Sequence, residues 1–147
     1  MDSIQLQSKT KALKGSIEAY WFENENIGLE NTQFHRISIP LEPFDSGLDY
    51  EEQPVKTEII LDWYKLGISS PDDLDGLNLK HESYPDAEGS IYVGTAHNWC
   101  DVKKLEIFKN EDASFCVVGE IYVEFENEGV GKNELFKFET NVVFSKA

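Results

Sequence analysis

The segment His97-Asn98-Trp99-Cys100-Asp101 brings an imidazole, an amide, an indole, a thiol and a carboxylate into five consecutive residues. A histidine titrates near neutral pH, and a carboxylate beside it can raise its pKa or fix its tautomer. We therefore take His97, Trp99 and Asp101 as candidate binding residues, with an enzyme site around His97 and Asp101 as an alternative. The simpler interpretation is a bulged connection between two strands, hydrogen-bonded by its polar side chains, with Trp99 plugging the end of the fold.

The sequence does not support a metal site or a nucleophilic pair in this segment. His97 and Cys100 are spaced so that both could bind zinc, but zinc needs three or four ligands and no second close His/Cys pair exists. A Cys100–His97 nucleophile lacks a supporting motif. Pro71 to Glu82 is a near miss to a calcium loop, because Pro71 stands where an aspartate is required. We expect no catalytic residue, no metal and no cofactor.

Two stretches near the C-terminus show the clearest strand pattern. From Phe115 to Phe125 and from Phe136 to Phe144, apolar residues alternate with polar ones, which is typical of strands that bury one side. The polar loop between them contains Gly129 and Gly131, and this arrangement predicts a long β-hairpin. Upstream segments must supply a second layer that covers the apolar face of the hairpin.

Earlier segments show shorter patterns of the same kind. Strands are predicted over Leu13 to Phe22, Phe34 to Leu41, Ser90 to Thr95 and Val102 to Phe108, with a short one at Ile4 to Gln7. One helical turn is predicted after Ser70, which would cap it, with Pro71 at its first position.

The segment Val55 to Leu66 fits two structures. As a strand, it would place Ile59, Leu61 and Trp63 on one face and Tyr64 on the other. As a helix, it would carry an apolar stripe, with a proline near its start and a glycine beyond its end. Its β-branched and aromatic content favours the strand.

Together these segments predict a single all-β domain over residues 1–147. Frequent turn signals between about seven short strands are typical of an antiparallel β-sandwich or barrel, with at most one short helix. The alternative is an α+β fold, which requires Val55 to Leu66 to be helical.

The stretch from Gly89 to Val102 resembles a segment of small uncharacterised bacterial proteins with the same all-β layout. The resemblance covers mainly this stretch and the strands after it. It implies a bacterial origin and attaches no function, substrate or partner.

The composition is strongly acidic. The chain has 28 acidic residues against 13 basic ones, and its formal net charge is -15. Such a surface repels phosphate, so we expect neither nucleic acid nor an anionic membrane as a partner. Complementary charge would instead accelerate association with a basic protein. We expect Glu51, Glu52, Asp72 and Asp73 to share one surface that binds such a protein, as in an inhibitor or immunity-type protein.

Aromatic residues suggest another class of function. Tyr20, Phe22, Tyr64, Tyr84 and Tyr92 are among those that would face outward and form a platform for a ligand. A small-ligand or carbohydrate-binding module is therefore a second alternative.

The cysteines and the N-terminus predict a cytoplasmic protein. Cys100 and Cys116 do not form the kind of disulfide framework that small secreted domains use, so both are expected to be free thiols. The first residues lack the basic and apolar regions of a signal peptide. No stretch approaches the ~20 apolar residues that a membrane-spanning helix requires.

Overall fold

Seven strands form a closed barrel in the computed structural model, which describes residues 1–146. In chain order the strands are β1 (Gly15–Asn24), β2 (Leu29–Pro40), β3 (Glu58–Tyr64), β4 (Glu88–Val93), β5 (Ala96–Lys109), β6 (Phe115–Val123) and β7 (Glu134–Lys146). Each strand pairs with the next in antiparallel fashion, and a parallel pairing of β1 with β7 closes the barrel.

Short helices lie outside the barrel wall. They are the α-helix α1 (Leu6–Lys9) and three 3-10 helices, at Glu25–Ile27, Pro71–Leu74 and Phe125–Glu128. The predicted helical turn after Ser70 is confirmed, and the Ser70 hydroxyl accepts a hydrogen bond from the Asp72 N–H. Within residues 1–146, no helix is long and apolar enough to cross a membrane.

Alternation of side chains builds the core. Along β6, buried residues alternate with half-buried ones over the whole strand, so every second side chain points into the barrel. The interior is filled by side chains, of which Tyr64, Phe115, Phe125 and Phe136 are the largest that are fully buried. The predicted hairpin of β6 and β7 is confirmed, and it supplies a large part of this core.

One prediction about local structure is wrong, and one ambiguity is resolved. Val55 to Leu66 contains strand β3, so the α+β alternative is excluded. Ile4 to Gln7 is not a strand, because the chain enters α1 at Leu6. Ile4 and Leu6 are instead buried against the core, and the Leu6 N–H donates to the Glu134 carboxylate at 2.6 Å.

Bulges interrupt three of the strands: β2 between Leu29 and Thr32, β3 after Leu61, and β5 after Val102. His35 pairs with Tyr64 and Ile37 with Leu61, so β3 contains one residue more than β2 across this interval. The extra residue changes which side chains face outward after Leu61. In β5 the register likewise shifts between Val102 and Lys104.

The chain segment before β4 completes the wall. β4 is short, so on the side of β5 it covers only the first residues of that strand, Ala96 to Trp99. Farther along β5, the free edge is hydrogen-bonded by residues 76–81, through Leu79 N–H to the Leu105 carbonyl and His81 N–H to the Val102 carbonyl, each at 2.9 Å. These bonds hold His81 beside the middle of β5.

The strand directions place the two acidic segments at opposite ends of the barrel. The loop after β2, which contains Glu51 and Glu52, lies at the end where β4 turns into β5. The connection after β3, which contains Asp72 and Asp73, lies at the other end, beside the turn after β5. We call these the lower and the upper end. The expectation of one shared acidic surface is therefore wrong.

The hairpin of β1 and β2 projects beyond the barrel at the upper end. β7 pairs with β1 only from Gly15 to Ala19, and β3 pairs with β2 only from His35 onward. Residues 20–34 therefore pair only within the hairpin. We call this projecting part the arm.

Substitution of Gly119 by alanine is expected to destabilise the barrel. Gly119 lies opposite Phe138, and a Cβ atom there would be 2.6 Å from the ring carbon Cε1 of Phe138. Overpacking of this kind costs about 1–3 kcal/mol. Urea denaturation should show that loss for Gly119→Ala, whereas Glu120→Ala on the outer face should change stability by less than about 1 kcal/mol. Equal stability of both variants would mean that the Phe138 ring moves aside freely.

Candidate functional site

The predicted residues of the 97–101 segment lie on one strand and not in a connection. β5 begins at Ala96, directly after the turn that follows β4, so the expected bulged connection is wrong. His97, Trp99 and Asp101 face outward, since successive side chains of a strand alternate. Trp99 is 40% exposed on the outer surface and does not plug the barrel. His97 and Asp101 are four residues apart on β5, roughly 13 Å, so they do not form a catalytic pair.

The inward-facing residues of this segment serve the fold. Asn98 is fully buried, and its amide nitrogen donates to the carbonyls of Ile91, Val93 and Ala96 at 2.9–3.2 Å. It thereby connects the two strands across their turn. Cys100 is also buried, and burial raises the pKa of its thiol, which leaves it unreactive.

The thiols are far apart and cannot join in one site. Cys116 pairs with Phe108, which is eight residues from Cys100 along β5, a separation of roughly 26 Å. Both cysteines are free. His97 and Cys100 face opposite sides of β5. In the part of the chain that the structure describes, no group of three or more His, Cys, Asp and Glu side chains could hold a metal.

The neighbour of Asp101 is His81, which the sequence did not indicate. His81 Nδ1 accepts a hydrogen bond from the Val102 N–H at 3.1 Å and lies 3.2 Å from Asp101 Oδ1. Because Nδ1 accepts that bond, the neutral ring carries its proton on Nε2. Burial lowers the pKa of the His81 imidazole, and Asp101 offsets part of this effect.

Asp101 is held ionised by a second neighbour. Lys103 Nζ lies 2.6 Å from Asp101 Oδ2. Although partial burial acts in the other direction, the hydrogen bond and charge of the Lys103 ammonium keep the pKa of the Asp101 carboxyl below its usual range. His81 therefore ties the 76–81 segment to β5, and its Nδ1 is already engaged by the backbone.

Three of the four predicted acidic residues form hydrogen bonds or an ion pair with nearby groups of the chain. Glu51 accepts hydrogen bonds from the Ser46 hydroxyl and from the Gly94 N–H, both at 2.8 Å. Asp73 accepts from the backbone at the start of its helix, and Asp72 lies 2.8 Å from Lys109 Nζ. Glu52 is exposed. Because Glu51 and Glu52 lie at the lower end and Asp72 and Asp73 at the upper end, the four residues do not share the one surface that was expected.

A large cavity lies at the upper end, between the arm and residues 83–88. It has a volume of about 850 Å³. Its arm side is lined mainly by apolar side chains: Phe22, Ile27, Leu29, Phe34 and, from β3, Trp63. Tyr84 and Pro85 form part of the opposite wall. We call this cavity the aromatic groove.

Trp63 is the centre of the aromatic cluster beside the groove. Its ring meets those of Tyr20, Phe22 and Phe34 edge-on, with centroids 5.9, 5.1 and 5.2 Å away. Edge-to-face contacts of this geometry are favourable. Tyr20, Phe22 and Tyr84 thus lie on the outside as predicted, but Tyr64, placed with them by the sequence, is fully buried in the barrel.

The backbone at Trp63 is strained. Its φ of 61° lies in the left-handed region, which a bulky aromatic residue seldom adopts. This conformation forms the bulge in β3 and turns the indole outward, while Tyr64 faces inward. Strain of this kind persists only where the surroundings enforce it, and it concentrates at functional sites.

Asp62 enforces the bulge. Its Oδ1 atom accepts hydrogen bonds from the Trp63 N–H and from the Tyr20 hydroxyl, both at 2.6 Å, and its Oδ2 atom accepts from Arg36 Nε at 2.9 Å. Arg36 also binds Glu18 at 2.8 Å. Burial and the bond to Asp62 raise the pKa of Tyr20, so its hydroxyl remains a donor. The groove is thus shaped before any ligand arrives.

No family model, curated protein or solved structure matches the chain. The geometry of the groove therefore carries the functional argument.

Removal of the Asp62 carboxylate is expected to destabilise the upper end. Asp62→Ala leaves the Trp63 N–H and the Tyr20 hydroxyl without their acceptor, which costs about 2–3 kcal/mol. Asp62→Asn keeps one acceptor oxygen and should lose less. Urea unfolding measures both, with Glu58→Ala, an exposed residue of the same strand, as the matched control. If Asp62→Ala is as stable as Glu58→Ala, the bulge does not depend on the carboxylate.

Stability is expected to decrease on mild acidification, in part because of His81. The unfolded chain protonates this histidine below about pH 6.5, whereas the folded protein resists protonation because its pKa is lowered. The free energy of unfolding should therefore fall between about pH 7 and pH 5. His81→Asn removes the titration and keeps an acceptor for Val102, so the fall should be smaller; the exposed His97→Asn should leave it unchanged. An undiminished fall in His81→Asn would show that other groups cause it.

Proposed function

We propose that this protein is a non-enzymatic binding protein that captures a basic partner protein in the aromatic groove. The observation that carries the proposal is the open apolar cavity of about 850 Å³ beside a strained, fixed Trp63. Concave apolar sites with a few polar groups at the rim are the usual form of binding sites.

The apolar lining favours a partner with an apolar side chain. Ile27 is 73% exposed at the tip of the arm, although burial of such a side chain is favourable. Phe22 and Trp63 present ring surfaces from the base of the groove. Aromatic anchors in a pocket are the residues that contribute most to protein interfaces.

Rigidity of the groove supports the same conclusion. The bonds from Asp62 to Tyr20, Arg36 and Trp63 fix three strands relative to one another. A site that is already ordered loses less conformational entropy when its partner binds. The strain at Trp63 is therefore compatible with a binding role.

The charge around the groove favours a basic partner. Asp86 and Glu88 line it and are exposed, and Glu23, Glu25 and Glu30 are exposed on the arm. Lys65 is the basic residue in the described lining. With a net charge of -15, the whole molecule adds to this field. An inhibitor or immunity-type role, in which a basic toxin is covered, is the most specific form of the proposal.

Selection from a displayed library of random peptides tests the proposal. Peptides that bind the wild-type protein should combine lysine or arginine with an aromatic or aliphatic residue, and should bind less tightly at about 500 mM salt than at about 50 mM. Ile27→Asp and the double variant Asp86→Lys/Glu88→Lys should each weaken binding about tenfold or more.

Tyr92→Ala and Glu58→Lys provide matched controls at the other end of strands β3 and β4. They also replace one exposed aromatic and one exposed acidic residue, so they should leave peptide binding unchanged. Recovery of no salt-sensitive peptide, or of peptides that are lost only in the controls, would overturn the proposal.

A further inference from the structure

One edge of the arm is open along the aromatic groove. Residues 29–33 of β2 pair with β1 alone, because the pairing of β2 with β3 begins at His35. None of the described backbone hydrogen bonds outside the regular strand pairings involves these residues. In an antiparallel pair, alternate residues direct their N–H and C=O groups away from the partner strand. The Glu30 carbonyl accepts a hydrogen bond from the Thr32 hydroxyl at 2.8 Å, and the other outward backbone groups of this edge are the donors and acceptors that it offers.

The edge lacks two of the devices that protect free strand edges, lysine and proline. Natural proteins block such edges with lysine, proline, bulges or a covering segment. The sequence Leu29-Glu30-Asn31-Thr32-Gln33 contains neither lysine nor proline. A bulge does lie in this stretch, because Phe22 pairs with Thr32 and Asn24 with Leu29, so β2 contains one residue more than β1 between these pairs. Thr32 and Gln33 remain in regular register with β1.

The groove follows this edge. Leu29 and Phe34, near the two ends of the open stretch, both line the groove, and residues 83–88 form the wall across from them. A chain lying in the groove would have unpaired backbone on one side and Tyr84 and Pro85 on the other.

We propose that the basic partner inserts an extended segment into the groove and adds it as a further strand to the edge of β2. This inference rests on the proposed function and specifies how the partner is held. Main-chain hydrogen bonds provide affinity in strand addition, and every second side chain enters a pocket and provides specificity. Because of the bulge, the five residues of the open stretch match four positions of β1 and span roughly 13 Å, which fits a segment of about four residues.

The side chains of the segment follow from the two faces that it meets. Those directed into the groove contact Phe22 and Trp63 and are aliphatic or aromatic. The intervening side chains remain near Glu30, Asp86 and Glu88, which are exposed, and are lysine or arginine. The motif is therefore an alternation of apolar and basic residues.

The acidic residues also disfavour the binding of a second copy of this chain at the β2 edge. Pairing of two β2 edges would bring Glu30 of each copy close to the other, within two molecules that each carry a net charge of -15. Like charges directly opposite in a sheet are destabilising. A basic segment meets the same edge with attraction.

Backbone methylation of a selected peptide tests strand addition. The probe is the tightest peptide obtained by the selection against the wild-type protein, made in two versions with N-methyl groups on either the odd or the even residues. In a strand, one set of N–H groups points to β2 and the other to solvent. One version should therefore bind about tenfold more weakly or worse, and the other should bind as the parent peptide does.

The outcomes separate this inference from the proposed function. Binding that is insensitive to both methylation patterns, yet lost in Ile27→Asp, overturns strand addition and leaves the groove as the binding site. Absence of any salt-sensitive peptide overturns both. Sedimentation of the free protein as a dimer that the added peptide dissociates would identify a second copy as the occupant of the edge and overturn the basic segment.

Discussion

The carboxylate of Asp62 joins three strands at the upper end of the barrel. It accepts hydrogen bonds from Tyr20 on β1, from Arg36 on β2 and from the backbone of Trp63 on β3. Without these bonds, a large aromatic residue would not be retained at a φ of 61°. The bulge then sets the orientation of everything beyond it: Tyr64 enters the core, and Trp63 forms the base of the groove.

The arm exists because the strands of the closed barrel differ in length. β1 and β2 are longer than the parts of β7 and β3 that pair with them, so their shared end is left outside the wall. Along β5, by contrast, residues 76–81 cover the free edge and supply the missing hydrogen bonds. This contrast between a covered edge on β5 and an open one on β2 supports our proposal that the partner segment binds along β2.

The acidic residues singled out from the sequence do not flank the groove that we propose as the binding surface. Glu51, Asp72 and Asp73 are each tied to a backbone N–H or a lysine, so their charges help to order the loops. The exposed acids that flank an apolar cavity are different residues, including Asp86 and Glu88. A charged group contributes to recognition when it lies beside a surface that a partner can bury, and this proximity is created by folding.

The sequence by itself determined the β class, the hairpin of β6 and β7 and the helical turn after Ser70, because period-two alternation and capping are local properties. It also placed His97, Trp99 and Asp101 near one another, since they are close in the chain. Only the tertiary structure decided that β1 and β7 close a barrel, that His81 meets Asp101 from 20 residues away, and that Trp63 faces outward. Each of these depends on contacts between distant segments. A single extra residue in a strand moves every later side chain of that strand to the opposite face of the sheet. The alternation of apolar and polar residues in the sequence does not indicate where such a residue occurs.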